Sequence, residues 1–421
     1  MSPGATVRRV TIVGAGLAGL AAAVALRRAG VAVAIADAAA QAGGRCRSYH
    51  DPQLGLTIDN GNHLVLSGNA AVARFRAAIG ATAPLAGPDH ADFAFHDLAA
   101  DTRWTVRIND GPMPWWVLRA GRRVPGTTAR DYLPLARLLR HGEGRIGDRI
   151  PTDGPLWRRF VEPILLAALN TAPADGSARL AGAVLRETIA RGGRAMRPRL
   201  ATPTLDAAFV DPALRWLAAN DATVATGRRL RALRVAGDRI DALDWGAGAE
   251  PLAPDEAVVL AVPAWIAAGM VPGLTVPTRH RAIVNGHFAC TAPPGTPAML
   301  GLLGGTAEWL FAFPNRLSVT VSAADALVDA DRESLARRFW ADICRALGTD
   351  APMPRWQIVK EKRATFAATP EQDALRPPTA TRFRNLFLAG DWTDTGLPAT
   401  IEGALRSGEA AARLACGGAL A

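Results

Sequence analysis

Near the start of the chain, Gly14-Ala15-Gly16-Leu17-Ala18-Gly19 fits the pattern G-x-G-x-x-G. Glycine-rich turns are common, and this one gains meaning only between a strand and a helix. The apolar run Val10–Val13 precedes it, and the Ala- and Leu-rich run Leu17–Ala29 follows. In that setting Gly14 permits a tight turn, Gly16 lets the backbone approach a pyrophosphate, and Gly19 allows close helix–strand packing. The helix N-terminus offers unpaired N–H groups and a partial positive charge to phosphates. Asp37 stands 23 residues after Gly14, at the end of a second apolar run, Val31–Ala36. A carboxylate there accepts hydrogen bonds from ribose hydroxyls and repels a 2′-phosphate. These residues predict a bound FAD or NAD, and disfavour NADP.

The next turn, Gly43-Gly44-Arg45, follows the second run directly. A simple NAD domain has no need of an arginine there, whereas a flavin dinucleotide must fix both phosphates along an extended path. With this turn the chain resembles the FAD-dependent amine oxidase and carotenoid desaturase superfamily. Four blocks carry the resemblance in order: GAGLAGL at 14–20, GGR at 43–45, Gly227-x-x-Leu230 with VVLAVP at 258–263, and LFLAGDW at 386–392 before a closing helix. The resemblance implies FAD as the cofactor. It implies that Gly44 and Arg45 belong to the cofactor site, that the backbone of Leu230 meets the adenine, and that Gly390 and Asp391 hold the ribitol–phosphate end. The closing helix, starting near Thr400 and Ile401, would aim its N-terminus at the flavin O2 region, where negative charge develops on reduction.

Asp59-Asn60-Gly61-Asn62-His63, the run from Gly390 to Ala404, and Lys362-Arg363-Ala364-Thr365-Phe366 narrow the match. They resemble blocks of the bacterial squalene-associated FAD-dependent desaturases, the hydroxysqualene dehydroxylases of hopanoid biosynthesis, and add Gly61 and Asn62 to the implied cofactor set. The implied activity is reductive removal of the hydroxyl of hydroxysqualene, a lipophilic triterpenoid alcohol, to give squalene, with electrons from an unidentified donor. A phytoene-type carotenoid desaturase or an amine oxidase is the alternative within the superfamily. Hydroxide is a poor leaving group, so protonation must accompany C–O cleavage, and the resulting cation requires a dry site. His63, Glu162 and Asp394 are the candidate acids. Glu162 sits in an apolar helical stretch, where desolvation would raise its pKa. Asp59 suits a buried structural hydrogen bond, and Glu402 a cap on the closing helix. Lys362 and Arg363 could polarise the flavin or pair with surface acids. No metal site is expected, since the seven histidines show no i,i+4 pairing.

These groups need an α/β scaffold: a Rossmann-type FAD-binding domain built from the discontinuous segments 1–75, 200–265 and 373–421, with an inserted α+β substrate domain from 76–199 and 266–372. The pattern predicts strands over Thr223–Val235, Arg239–Trp245, Asp255–Val262 and Leu317–Val321, and helices over Trp157–Leu169 and Arg332–Leu347. At 421 residues and 49% hydrophobic, the chain can bury a sizeable core, which excludes a disordered or disulfide-stapled module. The uncharged runs 257–276 and 282–307 are interrupted by Pro and Gly, and the second also by Asn285 and His287, so both read as buried core or tunnel wall rather than membrane spans.

The net charge is +10, and lysine occurs only at 360 and 362, so the basic surface is arginine. The first ten residues lack a secretory pattern, and the four cysteines are widely spaced. A cytoplasmic protein is expected, peripheral on the inner face of the plasma membrane, binding no nucleic acid. The expected lipid contact lies within 112–140, where Trp115, Trp116, Leu118, Tyr132 and Leu133 alternate with Arg119, Arg122, Arg123, Arg137 and Arg140.

Overall fold

Apolar strands buried on both faces favour a parallel sheet covered on each side. In the computed structural model, which describes residues 7–140 and 142–418, Val224–Ala225, Ala32–Ala36, Arg9–Val13, Glu256–Leu260 and Leu386–Leu388 lie side by side in that order, all parallel. Residues 1–6, part of the stretch read above as lacking a secretory leader, and His141 lie outside the described residues. The helices Leu17–Arg28 and Ile401–Ala415 cover one face so closely that a Cβ on Gly408 would collide with the Ala18 carbonyl. The hairpin Ala232–Ala236 and Arg239–Asp244 covers the other, placing Leu233, Ile240 and Leu243 with Val258 and Leu260 in one cluster. Arg9–Val13 is flanked on both sides, and its C-terminal end is the switch point where such sheets bind ligands.

The stretch Thr223–Val235 is not one strand. Only Val224–Ala225 joins the parallel sheet; the chain then turns at Gly227, with φ +70°, before Ala232–Ala236 begins the hairpin. Backbone bonds from Gly227 to the Ala39 carbonyl and from Arg228 to the Asp37 carbonyl, both 2.8 Å, hold this loop beside the dinucleotide turn. A continuous strand would carry Leu230 away from it.

The second sheet has seven strands, in the order Trp356–Phe366, His280–Phe288, Arg316–Val321, Trp309–Phe313, Met299–Leu303, Ala91–Asp97, Thr102–Ile108. All neighbours are antiparallel except Met299–Leu303 beside Ala91–Asp97. The amphipathic helix Arg332–Leu347 buries Leu335, Phe339 and Ile343 against the outer face. The inner face meets a helix that begins at Gly154–Leu156, widens into a π-helical turn at Trp157–Val161, and continues as Glu162–Leu169. Pro163 lacks the N–H that the ladder would use, and the widened turn before it absorbs the loss. Asp206–Val210, a π-helical turn before Pro212, repeats the arrangement.

Two contacts lock the sheet to the flavin-side segments. Arg316 pairs with Asp59 at 3.2 Å, both side chains 4% exposed, and Asn62 Nδ2 donates to Thr320 Oγ1 at 3.0 Å. Asp59 also accepts from Ser48 Oγ and the Leu205 N–H, the buried structural role expected of it. Deleting one partner of such a buried pair costs about 3–5 kcal/mol, because the other charge is left uncompensated. The two uncharged runs resolve into Glu256–Leu260, Ala264–Met270, His280–Phe288 and Met299–Leu303. Among the described residues, no helix is long and apolar enough to cross a membrane.

Candidate active site

Gly14, Gly16 and Gly19 divide their work. A Cβ on Gly14 would strike the Ala261 carbonyl, and one on Gly19 the Gly14 carbonyl, so these two permit packing. A Cβ on Gly16 would meet nothing within 4 Å. Packing therefore gives no reason for glycine at 16, whereas a ligand lying against the turn does. Leu17 and Ala18 open the helix, whose first turn carries no acidic side chain to compete with phosphate. Asp37 Oδ2 accepts from the Ala15 N–H at 2.6 Å, and Oδ1 from Ala39 N–H at 2.8 Å. An ionised carboxylate has about four acceptor sites, so Asp37 braces the turn and retains capacity for ribose hydroxyls.

Gly43 N–H donates to the Ala15 carbonyl at 2.8 Å, laying the second turn against the first. Gly44 then comes within 3.3 Å of the Gly16 Cα, measured from the position a Cβ would take. Arg45, which follows, spans the site: its guanidinium bonds Asp391 Oδ1 at 2.6 Å and the Ala364 carbonyl. Asp391 is buried, and Gly390 beside it donates its N–H to Ser407 Oγ at 2.8 Å, tying the turn to the closing helix. Thr400 caps that helix by accepting from the Gly403 N–H at 3.0 Å, with Ile401 buried as its first residue. Leu230 is 2% exposed, in the loop held to Asp37 and Ala39. The fold thus draws segments from 14 to 401 around one site.

The candidate acids separate. His63 lies beside Gly61; burial, then the nearby Arg45 charge, push its pKa below the ordinary value, against a hydrogen bond to the Arg45 carbonyl. That direction disfavours the imidazolium donor suggested by the sequence. Asp394 is exposed and paired with Arg179 at 3.2 Å. Glu162 lines a cavity of about 660 Å³ between the inner helix and the sheet, with Leu166, Leu302, Trp309 and Arg159. Glu308 lines it too. Burial pushes its carboxyl up to about 7, against the bond it accepts from Ser322 N–H at 2.8 Å. Sequence reasoning missed Glu308, whose only signal is its place just after a long uncharged run.

One other expectation needs correction. Glu402 does not cap its own helix: it accepts from the Ala71 and Val72 N–H groups, at 3.0 and 3.1 Å, capping Ala70–Ala78 instead. Lys362 pairs with exposed Asp329 at 3.3 Å, and Arg363 lies over the Trp265 ring at 4.9 Å. Among the described residues, no group of three or more His, Cys, Asp or Glu could hold a metal.

One row of the inner sheet face connects the site to the cavity. Asn285, Thr320, Trp309, Gly301, Phe95 and Trp104 stand directly opposite one another across six strands, so they share a face. The row passes from polar to aromatic: Phe95 stacks on Trp104 at 5.6 Å and meets Trp309 at 5.7 Å.

The model of the flavin-containing amine oxidoreductase family matches residues 17–416. The chain is 56% identical to the hydroxysqualene dehydroxylase of Rhodopseudomonas palustris and 52% identical to that of Sinorhizobium fredii, each over 97% of this chain and 98% of the relative. Among solved structures it is similar to cyclohexylamine oxidase from Brevibacterium oxydans, at 15% identity and TM-score 0.72, over 98% of this chain and 99% of that one. That last likeness is one of fold alone.

The turn geometry sets an order for two variants, read by flavin absorbance and FAD titration of purified protein. Gly16→Val should abolish FAD binding without unfolding the chain, since its side chain enters open space. Asp37→Ala should weaken binding by roughly 1.5–3 kcal/mol, the range of a charge-assisted hydrogen bond. Wild-type FAD affinity in Gly16→Val would show that the open space is not the cofactor's.

Proposed function

Since the chain belongs to the flavin-containing amine oxidoreductases and, within them, to the hydroxysqualene dehydroxylases, we propose that it reductively removes the hydroxyl of hydroxysqualene to give squalene. The observation that carries this reading is the 56% identity sustained over 97% of the chain. The chain is an FAD-dependent oxidoreductase, and FAD supplies, when reduced, the hydride the reaction needs. Gly16, Asp37, Arg45 and Asp391 would hold the cofactor, with the N-terminus of Ile401–Ala415 directed toward it.

The reaction adds one proton and one hydride. The C–O bond breaks with its electron pair leaving on oxygen as water, and the carbon gains hydrogen. The substrate is reduced by two electrons, which an external donor must replace. The cavity lined by Leu166, Leu302 and Trp309 suits a hydrocarbon chain. We assign the proton to Glu308. A carboxyl titrating at about 7 keeps a proton available at neutral pH, on a wall that also carries Arg158, Arg159 and Glu162. The Glu308 backbone N–H bonds the Thr320 carbonyl at 3.3 Å, one strand from the Asn285 end of the row. Glu162 lines the same wall and serves as the comparison.

A membrane-resident substrate calls for an entrance at the lipid surface, and the 112–140 region supplies one. Trp115–Leu118 forms a 3-10 turn, in which residues i and i+3 project together. Trp115 and Leu118 are each 60% exposed, with Met113 and Leu133 beside them in the same class, while Trp116 is 2% exposed. The pair of exposed tryptophans expected from the sequence is therefore one: Trp116 packs on Tyr132 and Phe160 as core. Arg119, Arg130, Arg137 and Arg140 are exposed around these side chains, whereas Arg123 is spent on the Val117 and Thr127 carbonyls. Arg159, on the cavity wall, donates to the Pro125 carbonyl at 3.3 Å, a contact between the cavity and the 112–140 region that supports this reading. Apolar insertion with arginines over anionic headgroups is the two-signal arrangement of a peripheral protein.

Chemically reduced wild-type enzyme, mixed anaerobically with hydroxysqualene, should yield squalene. Glu308→Gln should keep its FAD and slow conversion by about 10²–10⁴, the range for a general acid, with Glu162→Gln less affected. A product with added double bonds, formed only by oxidised enzyme, would make the chain a desaturase instead. In liposome co-sedimentation, binding should rise with anionic lipid and fall with salt. Trp115→Ser with Leu133→Ser should reduce it and leave FAD content intact; undiminished binding would move the contact to another surface.

A further inference from the structure

The polar end of the inner-face row carries two side chains with hydrogen-bonding capacity that the protein does not use. Asn62 Nδ2 lies 3.4 Å from the Val319 carbonyl, which can only accept, and 3.0 Å from Thr320 Oγ1. The Thr320 hydroxyl thus accepts from Asn62 and turns its own proton to Asn285 Oδ1, 2.7 Å away. This chain of donors fixes both amides. Asn285 is left with a free donor, Nδ2, and Asn62 with a free acceptor, Oδ1, each buried and without a partner. Asn285 is 1% exposed. An unpaired buried polar group is destabilising, so two neighbouring ones call for an explanation.

Asn62 follows Gly61 in the chain and Asn285 lies against it, and Gly61 is one of the residues the resemblance implies for the cofactor site. A Cβ added to Gly61 would sit 3.4 Å from Asn285 Nδ2 and 3.5 Å from His63 Nε2, so these side chains converge on the space before the Gly61 backbone. The neighbouring Asn60 is held by Glu361 at 3.3 Å and faces elsewhere. A free donor beside a free acceptor complements a ring edge that presents a carbonyl next to an N–H. The flavin ring has such an edge.

We propose that Asn285 and Asn62 form a clamp on the polar edge of the flavin ring, with Asn285 Nδ2 donating to a ring acceptor and Asn62 Oδ1 accepting from a ring N–H. The inference rests on FAD being the cofactor. Thr320 is the positioning residue, since its hydroxyl turns the Asn285 amide. A fixed donor at the ring stabilises the electron-rich reduced form more than the oxidised form. Asn285 therefore raises the flavin's midpoint potential.

The test measures midpoint potential and visible spectrum in the FAD-loaded protein, with no substrate present. Asn285→Leu removes the donor. Asn285→Asp keeps the acceptor for Thr320 and should fold even where the leucine variant does not. Both should retain FAD, with at least a tenfold weaker preference for reduced flavin, about 30 mV for a two-electron couple. Asp should show the larger fall, because its charge opposes reduction. Thr320→Val should shift the potential in the same direction by less. Wild-type potentials and spectra in the FAD-loaded Asn285 variants would overturn the proposal and leave the amide to substrate or to packing. A wild-type chain that takes up no FAD would overturn the cofactor reading and this inference together.

Discussion

Arg45 does what no single motif in this chain can do. It follows the second turn of the parallel sheet, yet it bonds the Ala364 carbonyl at the end of Trp356–Phe366 and the carboxylate of Asp391, 346 residues away. Its backbone carbonyl is the partner of the His63 ring. One guanidinium thereby fixes the C-terminal turn, the edge strand of the second sheet and the opening turn against each other. Arginine suits that task because its planar fork can engage a carboxylate and a carbonyl at once in fixed directions. The pair is buried at one end only: Asp391 is removed from water, while the Arg45 side chain is 42% exposed. Gly16, Asp37 and Thr400 can address one ligand only while this junction holds them in register.

Beyond the junction, chemistry and packing are graded along the inner face of the second sheet. The polar residues Asn285 and Thr320 stand nearest the flavin-side segments; Trp309, Phe95 and Trp104 follow strand by strand. Gly301 supplies the gap that lets Phe95 and Trp309 meet, since a Cβ there would collide with the Phe95 ring. An apolar, close-packed surface of this kind excludes water, which a reaction through a cationic carbon requires. The gradient continues toward the surface through Arg159, which lies over the Trp104 ring at 5.5 Å and donates to the Pro125 carbonyl.

The residues legible in the sequence are those whose constraint is local. A Gly-x-Gly turn between an apolar strand and a helix, an acid at the next strand end, or a glycine pair before an arginine each states its geometry within a few positions. Asn285 and Thr320 pair across two strands, and Glu308 stands just before a third, in a register that no local pattern reveals; the only sign of them is polarity at the interior or the edge of an apolar run. Glu402 misled for a similar reason. Its place in the first turn of a helix suggests a cap, but the N–H groups it satisfies belong to a helix 330 residues earlier. Trp115 and Trp116 are adjacent and chemically identical; only the three-residue period of their turn sends one outward and the other into the core. Thr223–Val235 reads as a strand throughout because the turn at Gly227 is bonded by Asp37 and Ala39, which lie in another segment.

The central claim is that the Arg45–Asp391 junction assembles the cofactor site without being needed to fold the chain. Arg45→Met keeps the length of the side chain and removes both bonds. The direct measurement is FAD titration of this variant, with circular dichroism and thermal unfolding as the check on folding. The account predicts native secondary structure, a cooperative unfolding transition and loss of stoichiometric FAD binding. A folded Arg45→Met protein that binds FAD as tightly as the wild type would contradict it.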